Sequence, residues 1–540
     1  MPSSSSQGGD TSLFGPLREP LYRALWIATV ASNIGGWMQD VGASWLMTSI
    51  TPSPAVIALV RTASSLPIFL LALPAGALAD VVDRRRLLLA TQVWMLAAAA
   101  TLGVLTLAGL TTPAILLGMT FALGLGSALN APAWQAIIPE VVPQSQITNA
   151  VSLNSASMNL ARALGPAIGG LIIAAAGPGI TFVLNALSFS GVIVVLYRWR
   201  RAPEKSVLPA ERVMGAIRTG VRYVRHTPPA RAVLARFAAF ILFGSALWSL
   251  LPAVARFEFH RGPGGYGIML ASFGLGAVSI ATLLPRLRQR TNIDVLLAGA
   301  TLVFAAGLTI LAWVRWYAVA DLAVFSCGAA WISLISTFNS RIQAVAPSWV
   351  RGRTLAVSIL VFFGGMSCGS AFWGYVASLS SIPAALTIAA ACTCIGLLAT
   401  RHLRLHGIEE VDLTPSFHWP MPQPASEPHP ERGPVVVTVE YRIDPQRKRE
   451  FLEAMQPVGR IRRRDGAISW TVLADVAAPD RYTEAFVVES WIEHLRQHAR
   501  VTRADRHILD HARSFHTAAA PAVVTHYLVE PAPEVRRPPP

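Results

Sequence analysis

Long apolar runs follow one another along the first three quarters of this chain. A helix needs roughly 20 mainly apolar residues to cross about 30 Å of hydrocarbon. Runs of that length fall near residues 22–48, 55–79, 87–109, 114–136, 148–176, 179–199, 232–256, 264–285, 293–314, 317–340, 352–378 and 382–402. The pattern predicts an all-α membrane protein with twelve transmembrane helices.

A basic segment at residues 201–231 divides these runs six and six. Its apolar positions, among them Val221 and Val224, recur at helical spacing between arginines. This pattern predicts an amphipathic linker helix on the cytoplasmic membrane surface. We therefore expect two six-helix bundles, at residues 21–200 and 232–403, with a substrate path between them.

After residue 403 the chain changes character. Residues 404–433 form a Pro-rich linker, and residues 434–530 show the order β-α-β-β-α-β. That order predicts a small soluble α+β domain of the ferredoxin-like type. The Ser- and Gly-rich residues 1–20 and the Pro-rich residues 531–540 are expected to be disordered tails, the first of them cytoplasmic.

Charge gives the expected orientation. The chain has a net charge of +15 although only 14% of its residues are charged. Its basic residues lie mostly in alternate loops between the apolar runs, so the positive-inside rule explains them better than nucleic acid does. Both termini are expected in the cytoplasm. The four cysteines, Cys327, Cys368, Cys392 and Cys394, lie inside apolar runs and are expected to be packing residues. We expect no metal and no cofactor.

The loop between the second and third helices carries a charged motif. It runs from Gly76 to Arg86 and includes Leu78, Asp80, Asp83, Arg84 and Arg85. Gly76 is expected to let two helices approach closely. Asp80 is expected to pair with Arg84, Arg85 or a neighbouring helix, in a latch that holds one conformation and releases another.

A second motif lies in the fifth helix. Gly165, Pro166, Gly169 and Gly170 are typical of a closely packed helix that can bend.

Polar side chains inside apolar runs are functional candidates because they are costly at membrane depth. Asn33, Asp40, Arg61 and Arg162 stand out. Our hypothesis is that Asp40 takes part in proton coupling, with Arg61 or Arg162 adjusting its proton affinity. A structural ion pair is the alternative. Glu140 and Asp321 lie nearer helix ends and are expected to be solvated.

Because of these motifs and the twelve apolar runs, residues 21–403 resemble the major facilitator superfamily. The stretches 133–140, 149–154 and 361–365 resemble its transmembrane secretion effector branch, which is related to the enterobactin exporter. The resemblance implies a multi-pass protein of the bacterial inner membrane. It further implies a proton-driven exporter of small molecules such as drugs, siderophores or secondary metabolites.

Three features of this sequence depart from the family pattern. Asp83 and Ala161 stand where that pattern has glycine, and the run 113–138 lacks the arginine that antiporters often carry. An importer of the same fold is the alternative. The motif Gly165, Pro166, Gly169 and Gly170 resembles a signature of exporters that exchange substrate for protons, and this resemblance favours export.

In the soluble part, Glu489, Trp491, His494 and His498 resemble an antibiotic-biosynthesis-monooxygenase-like domain. Such domains dimerise, and some are enzymes. Because we find no thiol nucleophile, metal cluster or phosphate loop there, we favour a binding or dimerising role. A fused enzyme and a ligand-sensing domain are the alternatives.

Overall fold

The computed structural model describes residues 13–199, 213–405, 412–416, 424, 426 and 428–530. The tail 531–540, most of the N-terminal tail and most of the Pro-rich linker lie outside these residues. The chain forms two compact units. The first comprises residues up to Val213, Leu234–Asn339 and Ser358–Arg404, and the second comprises Met214–Val233, Ser340–Val357 and the chain from Leu405 onward.

Thirteen helices precede residue 405 in the described chain. They are α1 (Pro20–Ile50), α2 (Pro54–Val81), α3 (Arg84–Leu107), α4 (Pro113–Val141), α5 (Ile147–Ala176), α6 (Pro178–Arg198), α7 (Val213–His226), α8 (Pro228–Ala253), α9 (Pro263–Arg290), α10 (Ile293–Trp313), α11 (Tyr317–Ala344), α12 (Arg351–Leu379) and α13 (Ile382–Thr400). All except α7 match the predicted runs, which confirms the predicted fold class.

Among the described helices, eleven are long and apolar enough to cross a membrane. The twelfth long helix, α1, falls outside that set because its sequence includes Asn33, Gln39 and Asp40. The helices start where the sequence provides start signals. Seven of them, α1, α2, α4, α6, α8, α9 and α13, begin with proline in the first turn, where no backbone N–H is needed.

Small residues let the helices of the first half approach closely. Gly42 of α1 faces Thr181 and Phe182 of α6, and Gly103 of α3 faces Val183 of α6. A Cβ at either glycine would come within 3 Å of those side chains, so each crossing depends on glycine. These contacts hold α6 against α1 and α3.

The second half is built around aromatic side chains. Trp248 meets Phe273 edge-on with ring centroids 4.8 Å apart, and Phe240 lies 5.3 Å from both Phe304 and Trp331. Such edge-to-face and tilted packing fixes the relative rotation of α8, α9, α10 and α11. Of the cysteines, Cys327 packs inside this half as expected, but Cys368 is exposed, so the packing prediction is wrong for it.

The soluble domain has the predicted ferredoxin-like fold. Its elements are β1 (Val435–Arg442), α14 (Lys448–Asp465), β2 (Ala467–Ala474), β3 (Arg481–Val488), α15 (Trp491–Arg500), α16 (Arg503–Arg513) and β4 (Val523–Leu528). The strands form an antiparallel sheet in the order β2-β3-β1-β4. The buried faces of β1 and β3 carry Val437, Tyr441 and Phe486 against the helices.

A buried ion pair crosses this core. Glu484 is fully buried and accepts two hydrogen bonds from Arg462, at 2.8 and 3.1 Å, and a third from the indole of Trp470. The Arg462 guanidinium also lies 4.6 Å from the ring centroid of Phe486. Because a buried charge is tolerated only when it is paired, this set fixes α14 on the sheet.

Candidate functional site

A polar cavity opens in the first unit between α1 and the helices around it. It has two adjoining chambers, of about 470 and about 250 Å³. Gly36, Trp37, Asp40, Met95, Ser127 and Phe189 line both chambers. The larger chamber extends along α1, α4 and α5, and the smaller one reaches Phe363 of α12, in the other half of the membrane part. Volumes of this size suit small molecules.

The structure brings Asp40 and Arg61 together at the cavity wall. The Oδ2 atom of Asp40 lies 3.5 Å from a guanidinium nitrogen of Arg61. The Asp40 side chain is 47% exposed, so it faces the cavity, whereas Arg61 is only 24% exposed. A carboxylate that is half open to the cavity can exchange a proton or meet a bound molecule.

Arg61 also reaches the second half. Its guanidinium carbon lies 5.2 Å from the ring centroid of Trp248 in α8. Trp248 in turn lies 6.3 Å from Trp37 of α1, and Arg162 of α5 lies 5.8 Å from the Trp37 ring. Cations are attracted to aromatic faces, and the attraction grows where water is excluded. The pair Asp40–Arg61 is therefore connected through aromatic rings to the contact between the two halves.

Asn33 lies in the larger chamber, where its side-chain amide donates to the hydroxyl of Ser157 at 3.2 Å. The sequence reasoning did not select three other cavity residues, Gln39, Gln92 and Asn130. The amide of Asn185 donates to Gln39, and that of Gln92 donates to Asn130 at 3.2 Å. The sequence could have indicated these three residues, because each is an amide side chain inside an apolar run.

The loop motif is organised around Arg84 and Arg85. Arg84 pairs with Glu140 of α4 at 2.8 Å, and Arg85 donates to the backbone oxygens of Leu196 and Tyr197 at the end of α6. Asp83 caps α3 by accepting from the backbone N–H of Arg86 at 2.9 Å. The side chain of Asp80 lies outside the described residues. Leu78 is exposed.

Three expectations about these groups need correction. A Cβ at Gly76 would meet nothing within 4 Å, so this glycine does not mediate a close helix approach here. The Glu140 side chain is only 16% exposed because it pairs with Arg84, so it is not a solvated residue. Asp321 is partly buried and accepts from the hydroxyl of Ser272 at 2.8 Å, so it too is held by a neighbouring helix.

The motif of the fifth helix forms two helix crossings. A Cβ at Gly165 would lie 2.5 Å from the Cβ of Trp37, and one at Gly169 would lie 3.0 Å from the Cα of Met38. On the same helix, a Cβ at Gly170 would lie 2.8 Å from the Cα of Gly267 in α9. The motif therefore packs α5 on α1 within its own half and on α9 across to the other half, with Pro166 buried between.

In the soluble domain, Trp491 and His494 belong to the core. Trp491 packs with Val435 and Val488, and His494 is 2% exposed with its ring centroid 4.7 Å from that of His526. Burial lowers the pKa of His494 most, and the neighbouring His526 and His498 lower it further, to about 3. The described residues contain no group of three or more ligands placed to hold a metal ion. Glu489, at the end of β3, is exposed.

In the described part of the chain, twelve long helices in two halves surround a polar cavity, and this arrangement defines a secondary transporter of the major facilitator type. The chain matches the transmembrane secretion effector family over residues 11–534, and it belongs to that family.

Among similar proteins, the staphyloferrin A transporter of Staphylococcus aureus is 27% identical over 47% of this chain, and the match spans 64% of its own length. The multidrug efflux pump Tap of Mycolicibacterium fortuitum is 25% identical over 73% of this chain and 98% of its own length. These relatives are transporters, and so is this protein.

Solved structures show the same fold at low identity. A bacterial homologue of the lysosomal transporter Spinster aligns with a TM-score of 0.58 at 14% identity, covering 72% of this chain and 96% of its own. A bacterial homologue of the iron transporter ferroportin aligns with a TM-score of 0.55 at 15% identity, covering 71% of this chain and 98% of its own. The similarity establishes the fold of the membrane part.

Proposed function

We propose that this protein is a proton-coupled exporter of small molecules in the inner membrane of a bacterium, with both termini in the cytoplasm. The observation that carries the proposal is the pair Asp40–Arg61 at the wall of the cavity, with Arg61 against Trp248 of the opposite half. The staphyloferrin A transporter and the multidrug pump Tap support a substrate of the siderophore or drug class.

The contacts between the halves support a cavity that opens toward the cytoplasm. Gly170 meets Gly267, the ring of Trp45 stacks 6.2 Å from that of Tyr266, and Arg256 donates to Ser49 at 2.7 Å. These residues lie at the helix ends away from Arg84 and Glu140. If the basic loops lie in the cytoplasm, as the positive-inside rule predicts, the closed end is external and the cavity takes its substrate from inside the cell.

In the proposed coupling, Arg61 and a proton compete for the carboxylate of Asp40. When Asp40 is ionised, it holds Arg61 at the cavity wall and the halves stay in the arrangement seen here. Substrate that enters from the cytoplasm weakens this pair, which frees Arg61 to follow Trp248 as the halves rock and the cavity opens outward. A proton from outside then neutralises Asp40, the substrate leaves, and the protonated form returns to the arrangement seen here. Release of that proton to the cytoplasm restores the pair. Transport of substrate outward and of protons inward are then linked through one carboxylate.

Everted membrane vesicles test the proposal. With an imposed pH gradient, they should take up ethidium or staphyloferrin A while protons leave, and Asp40→Asn should lose the dependence on the gradient while retaining substrate exchange. Glu258→Gln is a matched control, since Glu258 pairs with Arg315 away from the cavity. An Asp40→Asn variant that keeps its full dependence on the pH gradient would contradict the coupling role. Proton-driven uptake into right-side-out vesicles alone would show an importer.

A further inference from the structure

The second unit joins the soluble domain to two segments of the transporter chain. These segments are α7 with the start of α8, and residues 340–357, which connect α11 to α12. The guanidinium of Arg500 lies 4.8 Å from the ring centroid of Trp349, and Tyr223 meets Trp349 edge-on at 5.9 Å. The buried hydroxyl of Tyr223 donates to the backbone oxygen of Val345. α7 and the α11–α12 connection are thus packed against the domain.

A cavity of about 260 Å³ lies at this junction, and all three segments contribute to its walls. Pro228 and Val345 line it from the transporter segments, and Pro457, Ile461 and Ile508 line it from α14 and α16. Most of this lining is apolar. The strand-like segment 412–416 closes another side through Leu413, and it is held by hydrogen bonds to Val501, Arg503 and Ala504.

The charged groups on the cavity wall differ in whether they already have an ionic partner. Arg464 on its wall is already paired with Asp465 and Asp505, at 2.7 Å from each. Arg460 and His226 also line the cavity, and Arg460 is exposed. Burial lowers the pKa of His226, and so do the neighbouring Arg225, Arg463, Arg222 and Arg231. Arg460 on the cavity wall and the arginines near His226 supply positive charge on this side of the cavity, which attracts an anion.

We propose that this cavity binds a compact aromatic carboxylate, with its ring among Pro457, Ile461 and Val345 and its carboxylate at Arg460. Occupancy would fasten the soluble domain to α7 and to the α11–α12 connection. The volume suits a molecule of one or two rings, since drug-sized sites start at roughly 300 Å³. Because those transporter segments adjoin the moving helices, a bound carboxylate would regulate transport. The regulation rests on the function proposed above, but the binding does not.

The full-length protein in lipid nanodiscs is tested with 2-naphthoate, using neutral 2-naphthamide as the matched probe. The expected result is saturable binding of naphthoate, with slower hydrogen exchange in residues 222–229, 344–346 and 457–464. Arg460→Gln should weaken naphthoate binding about tenfold, as expected for the loss of one ion pair, and leave naphthamide unchanged. Ala504→Trp, which fills the cavity, should abolish the binding of both.

Two controls keep the result specific. Arg449→Gln removes an exposed arginine of the same helix, and its naphthoate affinity should equal that of the unchanged protein. Asp40→Asn should also bind naphthoate normally, so a failed transport mechanism cannot imitate a failed binding site. Equal loss of affinity in Arg449→Gln and Arg460→Gln would overturn the proposal, as would protection from exchange confined to the central cavity. Because Arg460 is exposed, its replacement tests the site without unfolding it.

Discussion

At the scale of single residues, His494 shows how a polar side chain can be tied to the stability of its domain. It is 2% exposed, and its ring lies among those of Trp491, His498 and His526. Burial lowers the pKa of His494 to about 3 and also lowers the pKa of His526. In the unfolded chain a histidine takes up a proton near pH 6.5. The unfolded state therefore binds more protons below that pH, and stability falls as the solution becomes acidic.

We predict that the soluble domain loses stability between about pH 6.5 and pH 3, by about 2 kcal/mol at pH 5 from His494 alone. His494→Phe should flatten this dependence. The measurement is hydrogen exchange of α15 in the full-length protein, corrected for the intrinsic effect of pH. His507→Leu, at an exposed position of α16, should retain the slope. An unchanged slope in His494→Phe would show that other groups titrate.

The sequence could identify some of these residues and not others. The sequence alone identifies Asp40 and Arg61 because each is a charged residue inside an apolar run, and in the structure the two side chains are paired. Glu140 sits near a helix end in the sequence, and only the packing of α3 on α4 reveals that Arg84 shields it. His494 and His498 lie four residues apart on one helix, but the partner of His494, His526, comes from a strand about 30 residues further along the chain, which no local pattern indicates.

At the scale of elements, glycines determine where helices of the two halves can touch. Gly170 and Gly267 meet backbone to backbone, and no side-chain rearrangement could accommodate an added methyl group there. Gly274 of α9 likewise faces the backbone of Arg162 and Ala163. By contrast, Gly76 of α2 has nothing within 4 Å of an added Cβ. Gly170, Gly267 and Gly274 are therefore constrained by packing, whereas Gly76 is not.

Gly170→Ala should open the end of the transporter at which α5 crosses α9. The added Cβ would lie 2.8 Å from the Cα of Gly267, and overpacking of this kind costs about 1–3 kcal/mol, a shift of roughly tenfold or more in the population of the closed arrangement. Spin labels at Thr51 and Gly262, in a chain without its native cysteines, should report longer distances. Gly76→Ala should leave that distance distribution unchanged. Equal distributions in all three proteins would show that the Gly170 crossing does not set the equilibrium.

Helix positions were predictable because lipid-length apolar runs dominate the sequence, and the starts agree with proline and capping signals. The break between α15 and α16 was not predicted. Both helices lie within one amphipathic stretch, but Thr502 accepts from the backbone of Asp505 while the Asp505 side chain accepts from Thr502. This capping box starts a new helix where hydrophobic periodicity alone suggested continuation.

At the scale of the whole molecule, one face of the soluble domain's sheet has no helix packed on it in the described chain. The strand register places Val436 beside Val487 on one side and Tyr527 on the other. Tyr527 is 54% exposed, and Leu473 on β2 is 51% exposed. We therefore predict an interaction surface at this exposed apolar row. A second copy of the domain is the occupant we predict, since an identical face offers self-complementary apolar rows.

Dimerisation through this face predicts that charges placed on it will separate the copies. Val487→Lys with Tyr527→Lys would put four like-charged groups into a twofold interface and bury them without partners. The affinity of the two copies for each other should therefore fall at least tenfold. Mass photometry of the full-length protein in nanodiscs or detergent measures the change. Val476→Lys, in a fully exposed loop position, adds the same charge elsewhere and should leave the dimer intact. If the unchanged protein is a monomer at micromolar concentration, the prediction of this dimer interface is wrong.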